Sequence, residues 1–187
     1  KHLANAETIL RPGLVGALGV ADDGVIYPPA FARTMLERAR EQGCSVRQAR
    51  VQSIEANTVH TEHGPVRADI IVNAAGAAAS QLTPELPIVP RKGHLIITDR
   101  YPAFCRHQLV ELGYLKSAHS MNAASVAFNL QPRKTGQMLI GSSRELVGWD
   151  GAINPVIVKK MLQRAPECMP KLARLSATRT WTGFRPT

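Results

Sequence analysis

The fold is decided by residues 125–142, which read Ser125-Val-Ala-Phe-Asn-Leu-Gln-Pro-Arg-Lys-Thr-Gly-Gln-Met-Leu-Ile-Gly-Ser142. Two β-rich segments in this stretch, 125–131 and 137–142, are separated by a turn that contains proline and glycine. The pattern predicts an antiparallel hairpin. Two more β-rich segments, Gly93–Thr98 and Leu175–Arg185, lie on either side of it in the chain. We therefore predict that this half of the chain builds a mainly antiparallel or mixed sheet.

A helix is predicted after the hairpin. Asn154 suits an N-cap position, and Pro155 suits a first helical turn, where a missing N–H group costs no hydrogen bond. The apolar residues that follow recur at helical spacing and share one face: Val158, Met161, Leu162 and Ala165. We expect Pro166 to end this helix.

The earlier part of the chain shows a different pattern. A helix is predicted from Pro28 to Gln42. Prolines suit its first turn, its apolar residues share one face, and Gly43 can take the left-handed conformation that ends a helix. Three β-rich segments are expected after it: Cys44–Ile54, Thr58–Thr61 and Val66–Val72. Because the middle of residues 68–73 is continuously apolar, we expect the third segment to be buried on both faces, as in a parallel sheet.

The pattern changes near Pro84, where a helix and a buried strand give way to hairpins. We take this change as the boundary between two structural units. One unit is expected to comprise residues 27–82, and the other residues 1–26 together with 83–187. The predicted fold class is α+β, with a mainly antiparallel or mixed sheet plus helices in the larger unit and a partial α/β portion in the smaller one.

The chain of 187 residues is basic, with 23 Lys and Arg against 14 Asp and Glu and a formal net charge of +9. Such a charge attracts polyanions. The basic residues are scattered, however, and no run exceeds two, while only 5% of the residues are aromatic. A stacking platform for bases is therefore missing, and we expect no nucleic-acid partner.

Cysteine, histidine and hydropathy patterns exclude several other classes. The three cysteines lack C-x-x-C spacing and indicate reduced thiols in the cytoplasm. His60 and His63 have no further ligand at metal-binding spacing, so no metal site is expected. The longest apolar runs are too short to span a bilayer. No secretory signal opens the sequence, and we interpret its first residue as an interior point of a longer protein.

Six short motifs in one order carry a resemblance. Residues 23–31 read Asp-Gly-Val-Ile-Tyr-Pro-Pro-Ala-Phe, residues 50–55 read Arg-Val-Gln-Ser-Ile-Glu, residues 67–77 read Arg-Ala-Asp-Ile-Ile-Val-Asn-Ala-Ala-Gly-Ala, and residues 88–94 read Ile-Val-Pro-Arg-Lys-Gly-His. Residues 139–145 read Leu-Ile-Gly-Ser-Ser-Arg-Glu, and residues 179–187 read Arg-Thr-Trp-Thr-Gly-Phe-Arg-Pro-Thr. In this order they resemble motifs of the D-amino acid oxidase family of FAD-dependent oxidoreductases, which includes glycine oxidase, sarcosine oxidase and D-amino acid dehydrogenases.

The resemblance implies roles for the two predicted units. Residues 27–82 would be a partial FAD-binding segment, and residues 1–26 with 83–187 a substrate-binding domain. The glycine-rich G-x-G-x-x-G turn that binds the pyrophosphate of FAD is absent from the chain. We therefore interpret the chain as a middle fragment that holds FAD in the intact protein but does not retain it alone.

The resemblance also implies site residues, none of them a catalytic acid, base or nucleophile. The expected substrate-binding residues are Arg185, Tyr114 and Arg179. The expected cofactor-binding residues are Val51, Asn73, Ala74, Ala75, Gly76 and His94. Arg185 is expected to bind the substrate carboxylate, because the N–H groups of a guanidinium can contact both carboxylate oxygens at once. For Tyr114, Arg179 and His94, a purely structural role is the alternative.

The implied function is oxidation of the Cα–N bond of a small amino acid, either a D-amino acid, glycine or an N-methyl amino acid, by hydride transfer to FAD. One alternative is a flavin dehydrogenase acting on a 2-hydroxy acid or glycerol phosphate, and another is a basic binding module without catalysis. The electron acceptor and the oligomeric state are left open. We expect a cytoplasmic protein and leave open its association with a membrane through the electron acceptor.

Overall fold

The computed structural model describes residues 3–113 and 124–187. The fold is α+β, as predicted. The described residues divide into two compact units, unit 1 within 1–23 and 90–187 and unit 2 within 24–89. The boundaries fall at residues 23/24 and 89/90, against the expected 26/27 and 82/83. The roles assigned to the two units stay a prediction.

The helices and strands alternate irregularly along the chain. In order they are α1 (Leu3–Ala6), α2 (Pro28–Glu41), β1 (Val51–Glu55), β2 (Thr58–Thr61), β3 (Gly64–Arg67), a 3-10 turn (Gly76–Ala78), α3 (Ala79–Leu82), β4 (Pro90–Arg100), β5 (Leu109–Val110), β6 (Ser125–Pro132), β7 (Gln137–Arg144), α4 (Pro155–Cys168), a second 3-10 turn (Pro170–Arg174) and β8 (Ala177–Pro186).

Unit 1 contains a five-stranded sheet in the order β5-β6-β7-β4-β8. Every neighbouring pair is antiparallel, which confirms the predicted hairpin and the antiparallel sheet. The hairpin turn closes through a hydrogen bond of 2.8 Å from Arg133 N to Gln137 O, and Gly136 has a φ of 86° that favours glycine. Strand β4 lies between β7 and β8, and the site described below is built around it.

Helix α4 covers one face of this sheet. Its N-cap is confirmed, because the Asn154 side chain accepts hydrogen bonds from Val156 N and Ile157 N. Buried side chains of α4 and of the sheet form one apolar core, which includes Ile157, Met161, Ala165, Ile96, Phe128, Leu130, Met138 and Ile140.

The expected end of α4 at Pro166 is wrong, because the helix continues to Cys168. A proline so close to the C-terminal end removes few hydrogen bonds. The last turn still closes through a bond of 3.0 Å from Met169 N to Ala165 O.

Unit 2 contains helix α2 and a three-stranded antiparallel sheet in the order β1-β2-β3. The helix lies where the sequence predicted it. The third strand is shorter than expected and ends at Arg67, and the expectation of burial on both faces is wrong, because Ile70 and Val72 are each 81% exposed. A parallel strand is buried only when neighbouring strands flank it. No strand within the described residues pairs with residues 68–73.

The N-terminal residues of unit 1 are anchored by a buried carboxylate. The side chain of Glu7 is 4% exposed. Its Oε1 accepts hydrogen bonds from Arg106 N at 2.8 Å and His107 N at 2.7 Å, and it lies 2.8 Å from His107 Nδ1. Ile9, two residues further on, belongs to the apolar core. The first described segment is thereby joined to a loop about a hundred residues away.

No helix of the described residues is long and apolar enough to cross a membrane.

Removing the Glu7 carboxylate should destabilise the chain. Glu7→Ala leaves the N–H groups of Arg106 and His107 without their acceptor, and an unsatisfied buried donor costs about 1–3 kcal/mol. We expect a loss of this size in the free energy of unfolding, measured by urea denaturation. Asp22→Ala removes an exposed carboxylate of the same unit and should change it by less than about 0.5 kcal/mol. Equal losses in the two variants would contradict the assignment.

Candidate functional site

The guanidinium group of Arg185 lies across strand β4 at Gly93. These residues belong to paired strands in which Arg91 is opposite Arg185 and Gly93 is opposite Gly183. A Cβ atom at Gly93 would lie 2.5 Å from Arg185 Nη2 and 3.1 Å from the carbonyl oxygen of Ser143 on β7. Only a residue without a side chain leaves room for this approach. The guanidinium therefore reaches from β8 over β4 towards β7.

Two further arginines share this face of the sheet. Strand alternation places Arg91 and Gly93 on one face of β4 and Lys92 and His94 on the other. Lys92 and His94 contact the loop before α4. Ser143 and Glu145 contact His94 and Lys92 and therefore lie on the α4 side of the sheet. Arg144, between them in the sequence, points to the other side, where Arg91 lies. We call the surface formed by Arg91, Gly93, Arg144, Gly183 and Arg185 the site face.

A β-bulge gives Arg144 its direction. Between the Ile96–Ile140 pair and the Lys92–Glu145 pair, β4 advances four residues and its partner advances five. The extra residue reverses the alternation, because a shift of one residue exchanges the two faces of a strand. Without it, Arg144 would point towards α4 and Glu145 towards the site face.

The site face is strongly positive and partly buried. Arg91 and Arg144 are each 4% exposed. Burial lowers the pKa of Arg91, and the nearby Arg144 lowers it further. Among the described residues, a Cβ atom at Gly183 would meet no atom within 4 Å. The arrangement suits an anionic ligand with planar oxygen pairs.

Two buried polar atoms that strand β6 places on this face have no hydrogen-bond partner among the described residues. They are Ser125 Oγ and Asn129 Oδ1. Both belong to β6, whose Val126, Phe128 and Leu130 pack in or against the core, so the residues between them, Ser125 and Asn129 included, lie towards the site face. Ser125 is the cross-strand partner of Arg144. Buried polar atoms are normally satisfied, so these two are candidates for contact with a ligand.

The opposite face of β4 carries a buried ionic network. Lys92 Nζ lies 3.8 Å from Glu145 Oε2 and 3.2 Å from Asp150 Oδ2, and it donates to Ala152 O at 3.0 Å. The hydrogen bond from Lys92 is among the causes that lower the pKa of Asp150, after the backbone N–H of Ala152. Glu145 also accepts a hydrogen bond of 2.9 Å from Asn154 Nδ2. The network joins β4, the residue after β7 and the N-terminus of α4.

His94 is part of this buried layer and is 0% exposed. Its Nε2 accepts a hydrogen bond of 2.9 Å from Asn154 N, and its Nδ1 lies 2.9 Å from Ser143 Oγ. A ring nitrogen that accepts from a backbone N–H carries no proton, so the imidazole is neutral. Burial lowers the pKa of His94 although Glu145 raises it. Both ring nitrogens contact protein atoms, and the expected contact with FAD stays a prediction.

Arg179, another expected substrate residue, lies six residues before Arg185 on β8. Arg179 is exposed, and its guanidinium carbon lies 5.7 Å from the centre of the Trp181 ring. Tyr114 lies outside the described residues. Among the described residues, no group of three or more His, Cys, Asp or Glu side chains could hold a metal ion.

The expected cofactor residues of unit 2 form an open loop of small side chains. Asn73 holds this loop, since its Nδ2 donates to Ala79 O at 2.9 Å and to Thr83 Oγ1 at 2.8 Å. Ala74, Ala75 and Gly76 are exposed, and Gly76 has a φ of 58°. Small side chains let a large ligand approach the backbone closely. The loop geometry fits a cofactor held along its backbone.

Val51, the remaining cofactor candidate, lines an open cleft of about 520 Å³ in unit 2. The other lining residues are Arg50, Gln52, Glu62, Gln81 and Leu82. A hydrogen bond of 2.9 Å from Arg50 N to Glu62 Oε1 shapes one wall. The cleft is large enough for one end of an extended cofactor.

The sequence pointed to Arg185 but not to Gly93, Arg144 or Ser125. The available signal was weak: Gly93 and Gly183 each interrupt a β-rich segment, and glycine in a strand often marks a close approach. The bulge that turns Arg144 leaves no trace in the local sequence.

Comparisons with known proteins identify relatives of the chain. The family model described as DAO, FAD dependent oxidoreductase, matches residues 2–187. Hydrogen cyanide synthase subunit HcnC of Pseudomonas aeruginosa is 28% identical over 198 residues, which cover 100% of this chain and 44% of that protein. A glycine oxidase of the same organism is 30% identical over 132 residues, covering 68% of this chain and 32% of that protein.

A solved structure shows the same fold. The crystal structure of glycine oxidase from Geobacillus kaustophilus superimposes with a TM-score of 0.81 at 23% identity, and the match covers 98% of this chain and 49% of that one. The chain thus spans about half the length of the solved relative and less than half of the two curated relatives.

Adding a methyl group at Gly93 should displace Arg185. In Gly93→Ala the new Cβ would lie 2.5 Å from Arg185 Nη2, closer than side-chain carbons approach, so the flexible guanidinium must move. Gly183→Ala is the matched control, because a Cβ there meets nothing within 4 Å. Crystal structures of both ligand-free variants should show a shifted guanidinium in the first and an unchanged one in the second. An unmoved Arg185 in Gly93→Ala would disprove the steric argument.

The buried His94 should make stability depend on pH. Its pKa is lowered in the folded chain, so below the ordinary value of about 6.5 the unfolded chain binds a proton that the folded chain does not. The free energy of unfolding should therefore fall as the pH decreases from about 7 to about 5. His94→Gln, which can still accept from Asn154 N, should show a smaller fall, whereas exposed His63→Gln should follow the wild type. Parallel curves for all three proteins would contradict this.

Proposed function

Since this chain belongs to the DAO family of FAD-dependent oxidoreductases, we propose that it is part of an enzyme that oxidises the Cα–N bond of a small amino acid. The substrate is a D-amino acid, glycine or an N-methyl amino acid. The observation that carries the proposal is the Arg185 guanidinium lying over Gly93. A glycine oxidase among the relatives supports the amino-acid class. The free cysteines support a cytoplasmic location.

In this proposal, unit 2 contributes to the FAD site. The backbone of residues 73–76 would line the cofactor, with Asn73 holding the loop in place, and Val51 would contact it from β1. When bound, FAD accepts the hydride that leaves the substrate. No residue of the chain needs to act as a nucleophile.

Unit 1 binds and orients the substrate. Arg185 holds the substrate carboxylate in two-point geometry, which fixes the orientation of Cα as well as adding binding energy. The lone pair of the neutral amine drives loss of the α-hydride, and the resulting imine is hydrolysed by water. Burial of the site face keeps water from the reacting carbon until then.

The remaining expected residues take secondary roles. Tyr114 is proposed as an aromatic hydroxyl near the substrate, and Arg179 as a more distant positive charge. For His94 we favour action through β4: its hydrogen bonds to Ser143 and Asn154 hold the strand segment that carries Gly93. This supports the position of Arg185 without direct contact with FAD.

Removing Arg185 should reduce turnover of amino acids strongly. Loss of a buried, charge-assisted carboxylate contact costs about 2–5 kcal/mol, so Arg185→Ala in the intact FAD-containing protein should lower kcat/KM by orders of magnitude. Arg185→Lys should recover only part of this, because a point charge cannot replace the fork. Flavin absorbance should stay near wild type. An Arg185→Ala protein that keeps both its flavin and its kcat/KM would refute the assignment.

A further inference from the structure

The loop between β7 and α4 packs against strand β8 directly before Arg185. We call residues 146–153 the connecting loop. Its Trp149 ring meets the Phe184 ring edge-on, with the ring centres 5.1 Å apart. Phe184 lies opposite Lys92 in the β4–β8 ladder and therefore on the α4 side of the sheet. The connecting loop thus supports β8 from the face opposite to the one on which Arg185 lies.

A hydrogen bond adds a second contact on the same face of β8. Thr182 Oγ1 donates to Gly151 O at 2.7 Å. Gly151 also lies close to Phe184, since a Cβ atom there would be 3.9 Å from the phenylalanine ring. Thr182 and Phe184 are two positions apart and point to the same side of the strand. The connecting loop therefore contacts β8 on both sides of Gly183.

The connecting loop is also joined to β4. Lys92 Nζ donates to Ala152 O at 3.0 Å and lies 3.2 Å from Asp150 Oδ2. The Asp150 carboxylate in turn accepts a hydrogen bond of 2.9 Å from Ala152 N, which holds the local turn. Because Lys92 directly precedes Gly93, the loop bridges β4 and β8 at the level where the guanidinium of Arg185 lies over Gly93.

The end of β8 needs such support. In the five-stranded sheet that the described residues form, β8 is an edge strand. An edge strand has unpaired backbone groups along one side, and the ends of elements open locally at small cost. The ladder ends at Pro186, which has no N–H group to donate. A displacement of about 1 Å in a binding group can cost about a hundredfold in rate, so contacts that hold this strand end affect function.

We infer that the connecting loop positions Arg185 for the substrate carboxylate, with Trp149 and Phe184 as positioning residues that act through the backbone of β8. The inference rests on the proposed function, in which Arg185 binds that carboxylate. It gives a role in substrate binding to a loop on the other face of the sheet. Neither aromatic ring needs to touch the substrate or FAD.

The test is a double-mutant cycle in the intact FAD-containing protein, with the best substrate among glycine, D-alanine and N-methylglycine. Trp149→Ala should lower kcat/KM at least threefold with unchanged flavin content. Trp149→Phe should recover most of this, because a smaller ring can still meet Phe184. In the Arg185→Ala background, Trp149→Ala should change kcat/KM less than 1.5-fold, because the group that it positions is gone. Val147→Ala, at an exposed residue of the same loop, is the matched control and should keep the wild-type value.

The outcomes separate the inference from the function beneath it. A wild-type kcat/KM in Trp149→Ala overturns the inference and leaves the proposed function standing. An equal loss in both backgrounds also overturns it, because Trp149 would then act independently of Arg185. If none of the three amino acids reduces the flavin, the proposed function fails and the inference fails with it.

Two further measurements cover variants that are too slow or do not fold. The ligand-free crystal structure of Trp149→Ala should show the Arg185 guanidinium displaced from its place over Gly93, and an unmoved guanidinium would overturn the inference. Thr182→Val keeps the shape of the side chain but removes the hydrogen bond to Gly151, so it should lower kcat/KM at least twofold. A wild-type value in Thr182→Val would contradict the role of the loop.

Discussion

The close approach of the Arg185 guanidinium to the backbone of Gly93 is the constraint on which the site depends. The Arg185 side chain can take this position because Gly93 has no Cβ atom, which would lie 2.5 Å from Nη2. The crossing in turn requires β4 and β8 to keep the register that sets Gly93 opposite Gly183. Eight consecutive residue pairs, from Pro90–Pro186 to Ile97–Arg179, hold that register. The extended β4–β8 ladder thus fixes the position of the Arg185 guanidinium, the group proposed to bind the substrate carboxylate.

The two faces of β4 have different roles, although successive residues of the strand point to them in turn. The face towards α4 carries Lys92 and His94, whose contacts join the strand to Glu145, Asp150 and the start of the helix. Buried ionic groups seldom add much stability over apolar packing, but they specify one arrangement, because an unpaired buried charge is expensive. At this end of the sheet, the network specifies the arrangement in which the site face carries its arginines.

Local sequence predicted the parts of the fold that depend on local interactions. The hairpin between β6 and β7 and the N-cap of α4 were found because turn and capping residues act within a few positions. Burial of residues 68–73 was predicted wrongly, because burial depends on neighbouring strands, and the apolar pattern of one segment does not show whether such strands are present. The anchor formed by Glu7 was missed for a similar reason: its partners at residues 106 and 107 lie far along the chain. Arg185 was identified through a motif, whereas the glycine that makes room for it was not.

The bulge beside β4 connects the network on one face with the charges on the other. One extra residue in the partner strand turns Glu145 towards Lys92 and, as a necessary consequence, turns its neighbour Arg144 towards Arg185. The same backbone feature therefore supplies the carboxylate that neutralises the buried lysine and the arginine that enriches the site face. A regular strand would reverse both side chains at once, placing a carboxylate beside Arg185, the proposed substrate anchor, and a guanidinium beside Lys92. A guanidinium beside the buried Lys92 would be repelled, so the Lys92–Glu145 ion pair stabilises the bulge, and the position of Arg144 on the site face is its consequence.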